Sequence, residues 1–170
     1  HAMGAYQRGE DLAILPLDAD LVAAYRSVLQ DDSLDKAMVA YMLSLPSEAY
    51  LSELADVVDV EAIHYSRTAI RKIIARELRD DFLAIYKAYD HQQTYAATAN
   101  AIAKRSLKNV SLGYLMLLNE DTIIQDCEQQ YKTANNMTDK VAALTQLVNS
   151  NAKLAQEVAE QSLQDFYETW

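Results

Sequence analysis

The chain has 170 residues, 51% of them hydrophobic, which is material for one domain, or one contiguous piece of a domain, with a substantial core. Twenty-five acidic residues against fifteen basic ones give a formal net charge of −10 and a pI near 4.6. That balance excludes non-specific attraction to nucleic acid or to an anionic membrane surface, so neither is expected as a partner. Three Gly and two Pro leave too little turn punctuation for a many-stranded β fold. The single cysteine, Cys127, excludes an internal disulfide and fits a reducing compartment. No run approaches the roughly 18 apolar residues of a membrane span and no signal-peptide pattern opens the chain, so a soluble, cytoplasmic protein is expected.

In chain order, His1-Ala2-Met3 reads as a cloning scar, residues 1–11 as scar plus irregular segment, and irregular backbone is expected to residue 17, with Pro16 marking the approach to the first helix. Asp18 or Asp20 can cap a helix running to about Asp31, with Leu21, Tyr25, Val28 and Leu29 on its buried side. A second helix is predicted from Ser33 or Leu34 to Ser44, broken by Leu45-Pro46-Ser47 because the residue before proline avoids helical dihedrals. Ser47 can cap a third, short one to about Ala55. From Asp59 to about residue 90 no Gly or Pro intervenes, and Ile63, Ile70, Ile74, Leu78, Phe82, Ile85 and Tyr89 recur on one helical face. The pattern predicts one uninterrupted helix of about 31 residues, roughly 45 Å long.

Another helix follows over about Ala97 to Leu118. Its second half, from Val110, is apolar almost all round and must be covered on several sides, and Gly113 within it predicts close approach of a neighbouring helix. Helices over about Glu120–Ala134, Asp139–Asn149 and Asn151 to the C-terminus complete the chain. Asn135-Asn136 suits a left-handed helix stop, with Thr138 as the next cap. About eight helices joined by short connections run antiparallel, which defines an all-α fold of stacked helical hairpins, HEAT- or armadillo-like, with no sheet.

The candidate chemistry is thin. Glu61 and His64 have the E-x-x-H spacing of a di-metal bundle, but no second copy exists, and three histidines in all are poor material for a zinc site. Ser33-Leu34-Asp35-Lys36 fits the S-x-x-K nucleophile pattern without its companion motifs and reads as a helix start. Asn109-Val110-Ser111 and Asn136-Met137-Thr138 fit the glycosylation sequon by coincidence. Arg67, Arg71, Lys72, Arg76 and Arg79 form a stripe interleaved with Glu77, Asp80 and Asp81, with Arg76 and Asp80 spaced for an ion pair, and this reads as a solvated or domain-facing surface. Cys127, at an apolar helical position, reads as a small buried hydrophobe. No catalytic, cofactor-binding or metal-ligating residue is therefore assigned.

Four blocks carry more information. They are Leu43-Ser44-Leu45-Pro46-Ser47-Glu48; Glu61 to Tyr86, above all Glu77-Leu78 and Phe82-Leu83-Ala84-Ile85-Tyr86; Ile102 to Asn109, IAKRSLKN; and Ala134 to Leu144, ANNMTDKVAAL. In this order over residues 12–170 they resemble the C-terminal all-helical domain of bacterial aminopeptidase N, a zinc exopeptidase of the gluzincin, thermolysin-like group. The resemblance implies a domain that curves over the catalytic domain, helps enclose the active-site chamber and restricts access to peptides. The H-E-x-x-H and G-x-M-E-N motifs of that family's catalytic domain do not occur here.

The expectation is a non-catalytic, N-terminal portion of that helical domain, truncated at Trp170. Zinc is expected only in the parent's catalytic domain, the partners being that domain within the same chain and the parent's peptide substrates. A free-standing helical-repeat interaction module is the alternative; such a solenoid needs a polar capping helix, whereas this chain ends Phe166-Tyr167-Glu168-Thr169-Trp170. Truncation would leave Val158, Leu163, Phe166 and Trp170 open to water, and a weak homodimer of the fragment through this last helix is expected.

Overall fold

A computed structural model describes residues 2–12, 17–89 and 94–169. It contains α1 (Ala2–Gln7), α2 (Ala19–Gln30), α3 (Lys36–Met42), α4 (Glu48–Glu53), α5 (Val60–Glu77), α6 (Arg79–Ala88), α7 (Ala99–Leu115), α8 (Asp121–Thr133), α9 (Met137–Val148) and α10 (Lys153–Thr169). A 3-10 turn, Met116–Leu118, extends α7, and no strand occurs among the described residues. Successive helices pack as neighbours, α6 on α7, α8 on α9 and α9 on α10, and α7 also touches α3, α5 and α9. The result is a layered stack of hairpins with α7 at its centre.

Polar side chains start the helices where the sequence offers them. Asp18 accepts from the Asp20 N–H at 2.9 Å, Ser47 from Tyr50 at 3.1 Å and Asp59 from Ala62 at 3.0 Å, each satisfying a donor the helix itself cannot. The second half of α7 is enclosed as its composition demands. Leu112, Tyr114 and Leu115 are buried, Tyr114 stacks on Phe82 with ring centroids 4.5 Å apart, and its hydroxyl donates to the Leu43 carbonyl.

Several sequence expectations differ from the structure. Residues 2–7 are helical: Ala5 is fully buried, the Tyr6 ring stacks on Tyr65 at 5.3 Å, and Gln7 donates to Asp59. Packing on α5, which residue propensity does not encode, orders this segment, and Gly9 at φ 73° lets the chain leave it. The long helix is two helices. Leu78, at φ −116° and ψ 22°, leaves the helical basin between α5 and α6, yet its N–H still donates to Ile74 and its carbonyl accepts from Phe82. The bend costs no backbone hydrogen bond at Leu78 and sinks its side chain fully into the core.

The helix expected from Ser33 or Leu34 to Ser44 is α3, Lys36–Met42, with Asp35 as its cap accepting from Ala37 and Met38. Gly113 is not forced by crowding, since a Cβ there would meet the Gln146 side chain at an ordinary 3.5 Å. At the C-terminus α10 folds back on α8 and α9, placing Val158 and Phe166 against the core. Leu163 is exposed, and Trp170 lies outside the described residues.

Candidate functional site

The most concentrated polar chemistry lies where α7 meets the corner between α8 and α9. Lys108 on α7 and Asp139 on α9 are both buried, and Lys108 Nζ lies 2.7 Å from Asp139 Oδ2. Asn109 donates to Asp139 Oδ1 at 2.9 Å, and Asn136 to Oδ2 at 3.1 Å. Gln130 on α8 donates to the Asn109 side chain at 2.9 Å and to the Asp139 carbonyl at 3.0 Å. The carboxylate ties α9 to α7, and Gln130 adds α8 through the Asn109 side chain and the Asp139 backbone. Burial alone would push that carboxyl up; the donors Lys108, Asn136 and Asn109 outweigh it and hold Asp139 below the usual carboxylate range.

The corner is a stop and restart, though not by the expected means. Ala134 and Asn136 are extended rather than left-handed, and the left-handed non-glycine residue among those described is Asn119, after the 3-10 turn. Asn136, not Thr138, caps α9, its side-chain oxygen accepting from the Asp139 N–H at 2.9 Å. Asp139 is consequently fixed on both sides, by its own N–H and by its carboxylate. The structure brings together the blocks 102–109 and 134–144, two of those that carried the family resemblance.

The other sequence candidates are dispersed. His64 Nδ1 lies 3.0 Å from Glu48 Oε1, whereas Glu61 accepts from Tyr6 at 3.4 Å, so the E-x-x-H pair faces two different partners. Ser33 donates to Asp31, and Lys36 to the Asp31 carbonyl and the Asp32 carboxylate. Neither residue activates the other. Arg67 donates to the Pro46 carbonyl, Arg71 lies over the Tyr114 ring, and Arg79 makes a two-pronged contact with Glu120. Asp80 pairs with its neighbour Arg79 rather than with Arg76. The stripe therefore serves several internal contacts.

Cys127 is fully buried, and burial pushes its thiol up to about 12, consistent with an inert side chain. Both sequon asparagines belong to the buried network. Among the described residues no group of three or more His, Cys, Asp or Glu side chains is placed to hold a metal ion, and the residues do not fit zinc. No helix among them is long and apolar enough to cross a membrane.

A stack of helical hairpins pinned through a buried ion pair defines a helical-repeat domain. The chain belongs to the family described as Domain of unknown function (DUF3458_C) ARM repeats, whose model matches residues 3–170. It is 39% identical over 145 residues to Aminopeptidase N of Escherichia coli (strain K12), covering 84% of this chain and 16% of that protein. Aminopeptidase N of Haemophilus influenzae (strain ATCC 51907 / DSM 11121 / KW20 / Rd) is 32% identical over 166 residues, covering 97% of this chain and 18% of its own length. The crystal structure of Legionella pneumophila aminopeptidase A in complex with aspartic acid superposes with a TM-score of 0.78 at 26% identity, over 99% of this chain and 20% of that one. The chain is thus homologous to the helical domain of aminopeptidase N and spans less than a fifth of the curated relatives' length.

Proposed function

We propose that this chain is a non-catalytic portion of the C-terminal helical domain of a zinc-dependent aminopeptidase, residues 12–170 forming the N-terminal part of that domain. In this reading the parent removes N-terminal residues from peptides with zinc held in its catalytic domain, and the helical stack covers the active-site chamber and restricts access to it. The observation that carries the reading is the match to aminopeptidase N and to the helical-repeat family over nearly the whole chain.

The distribution of apolar surface supports it. Among the described residues, nine of the seventeen exposed large hydrophobic ones fall between Met38 and Tyr65, among them Tyr41 at 77%, Val57 at 83% and Val60 at 68% exposure. Such a concentration marks a face built to be covered. The relatives are more than five times longer than the matched segment, so the occupant we assign to this face is the remainder of the parent polypeptide. Association inside one chain needs no high affinity, because the tether supplies a high effective concentration.

The test has two parts. The parent's reading frame is expected to encode H-E-x-x-H upstream of this segment, and the purified chain is expected to hydrolyse no alanyl chromogenic amide and to carry no stoichiometric zinc. In the full-length parent, Tyr41→Glu with Val57→Glu is expected to increase hydrogen exchange in α3 and α4 and to alter the preference between long and short peptides. A parent frame without a zinc motif, one tightly held zinc per purified chain, or turnover that survives removal of contaminating peptidases would overturn the assignment.

A further inference from the structure

Lys108, Asn136 and Asp139 also line a cavity of about 100 Å³, together with Lys104 and Arg105 of α7. This is well above the ~15 Å³ that admits a single water, so the space suits a ligand of several heavy atoms. Three cations at positions i, i+1 and i+4 of one helix face one hollow, in a chain whose net charge is −10. Asp139 also faces it, but both its oxygens are already engaged, Oδ2 by Lys108 and Asn136 and Oδ1 by Asn109.

Lys108 is paired with Asp139, whereas Lys104 and Arg105 are held by other contacts. Lys104 Nζ stands 5.7 Å from the centre of the Tyr89 ring, and the Arg105 guanidinium stands 5.1 Å from that of Tyr95 and donates to the Ala96 carbonyl at 2.9 Å. Among the described residues neither forms an ion pair. Lys108 is 1% exposed and directs one of its three donors at Asp139. A buried ammonium with donor capacity left over, beside two half-buried cations positioned by aromatic rings and a carbonyl, is a preorganised anion cradle.

We propose that this cavity is a binding site for a small oxyanion, with Arg105 and Lys104 as its main donors and Lys108 at its floor. A planar guanidinium matches the two oxygens of a carboxylate or phosphate, and the low-dielectric wall strengthens each charge-assisted hydrogen bond. A peptide carboxylate and free phosphate share this chemistry.

The experiment is an amide-resolved NMR titration of the 170-residue chain at fixed ionic strength with N-acetylalanine, N-acetylalanine amide and inorganic phosphate. Saturable shifts at Lys104, Arg105, Lys108 and Asn136 are expected with one or both anions and not with the neutral amide; the tighter anion identifies the source. Lys104→Gln and Arg105→Gln are expected to weaken that binding about tenfold or more each, with the thermal midpoint unchanged. Lys108 is left intact in the test because its removal would strand the Asp139 charge. Equal binding of the neutral amide, absence of saturation with both anions, or full affinity in the Arg105→Gln and Lys104→Gln variants would overturn the proposal.

Discussion

Burying an ammonium with a carboxylate is costly unless each is paired, and Asp139 meets that condition through Lys108, Asn109 and Asn136 together. Lys108→Met leaves the carboxylate buried without its counter-charge, and the expected loss is about 3–5 kcal/mol by urea denaturation. Adding Asp139→Asn removes the stranded charge, so the double variant should be more stable than Lys108→Met alone; the opposite order would mean that the pair is not coupled as described. Because the folded-state carboxyl sits below its ordinary value, its stabilisation is present above the unfolded value of about 3.9 and is lost as pH falls through the lower, folded one. Acid should therefore narrow the stability gap between wild type and Asp139→Asn below about pH 4, measured by denaturation at stepped pH. Of the residues of this site, Lys108 and Asp139 were visible in the sequence only as parts of family-like blocks, Asn109 and Asn136 also as sequon residues, and Gln130 was not singled out. Periodicity places Lys108 on a helix with Leu107 and Leu112, but nothing local says that its ammonium is buried, because its partner lies 31 positions away.

At the scale of elements, the starts of α2, α4 and α5 were legible, whereas those of α1, α3 and α9 were not. Ser47 caps as read, Asp18 is one of the two caps offered for α2, and Asp59 caps the helix whose start was placed there, because an N-cap is a local interaction between residues two or three apart. The break at Leu78 was not legible: neither Gly nor Pro marks it, and its cause is the burial of Leu78 in a core assembled from distant helices. Leu78→Ala is expected to cost about 2–5 kcal/mol, the usual range for a buried leucine, read as a lowered urea midpoint. A change below 1 kcal/mol would show that the bend is set by backbone rather than by packing. Gly113 gives the reverse case, for the sequence implies a close helix approach and the structure leaves room for a methyl group. Gly113→Ala should accordingly stabilise the chain by about 0.4–1 kcal/mol through helix propensity and a less flexible unfolded state. Destabilisation in thermal melts would restore the crowding explanation.

For the whole molecule, the all-helical stack was legible from composition and period, whereas the surface left for association was not. The C-terminal helix looked open because its apolar residues were read without the hairpin they close on. With Val158 and Phe166 against the core, and Tyr131 donating to the Ser162 carbonyl and the Asp165 carboxylate, α10 is held in place and offers only Leu163, at 46% exposure, and Tyr167, at 85%, among its described large apolar residues. The apolar residues of α3, α4 and the following turn make the larger exposed set, and each such side chain is worth about 1.5–3 kcal/mol when fully buried. The charge of −10 opposes contact between copies, and salt at about 0.1 M screens that repulsion beyond roughly 10 Å. The isolated chain should form a weak dimer through this face, strengthening from low to moderate salt. Tyr41→Glu with Val57→Glu should abolish it, and Leu163→Glu should leave it unchanged, as read by sedimentation velocity at high protein concentration. A strict monomer at both salt concentrations would show the face too divided to associate without a tether, and loss of the dimer in Leu163→Glu would return the contact to the C-terminal helix.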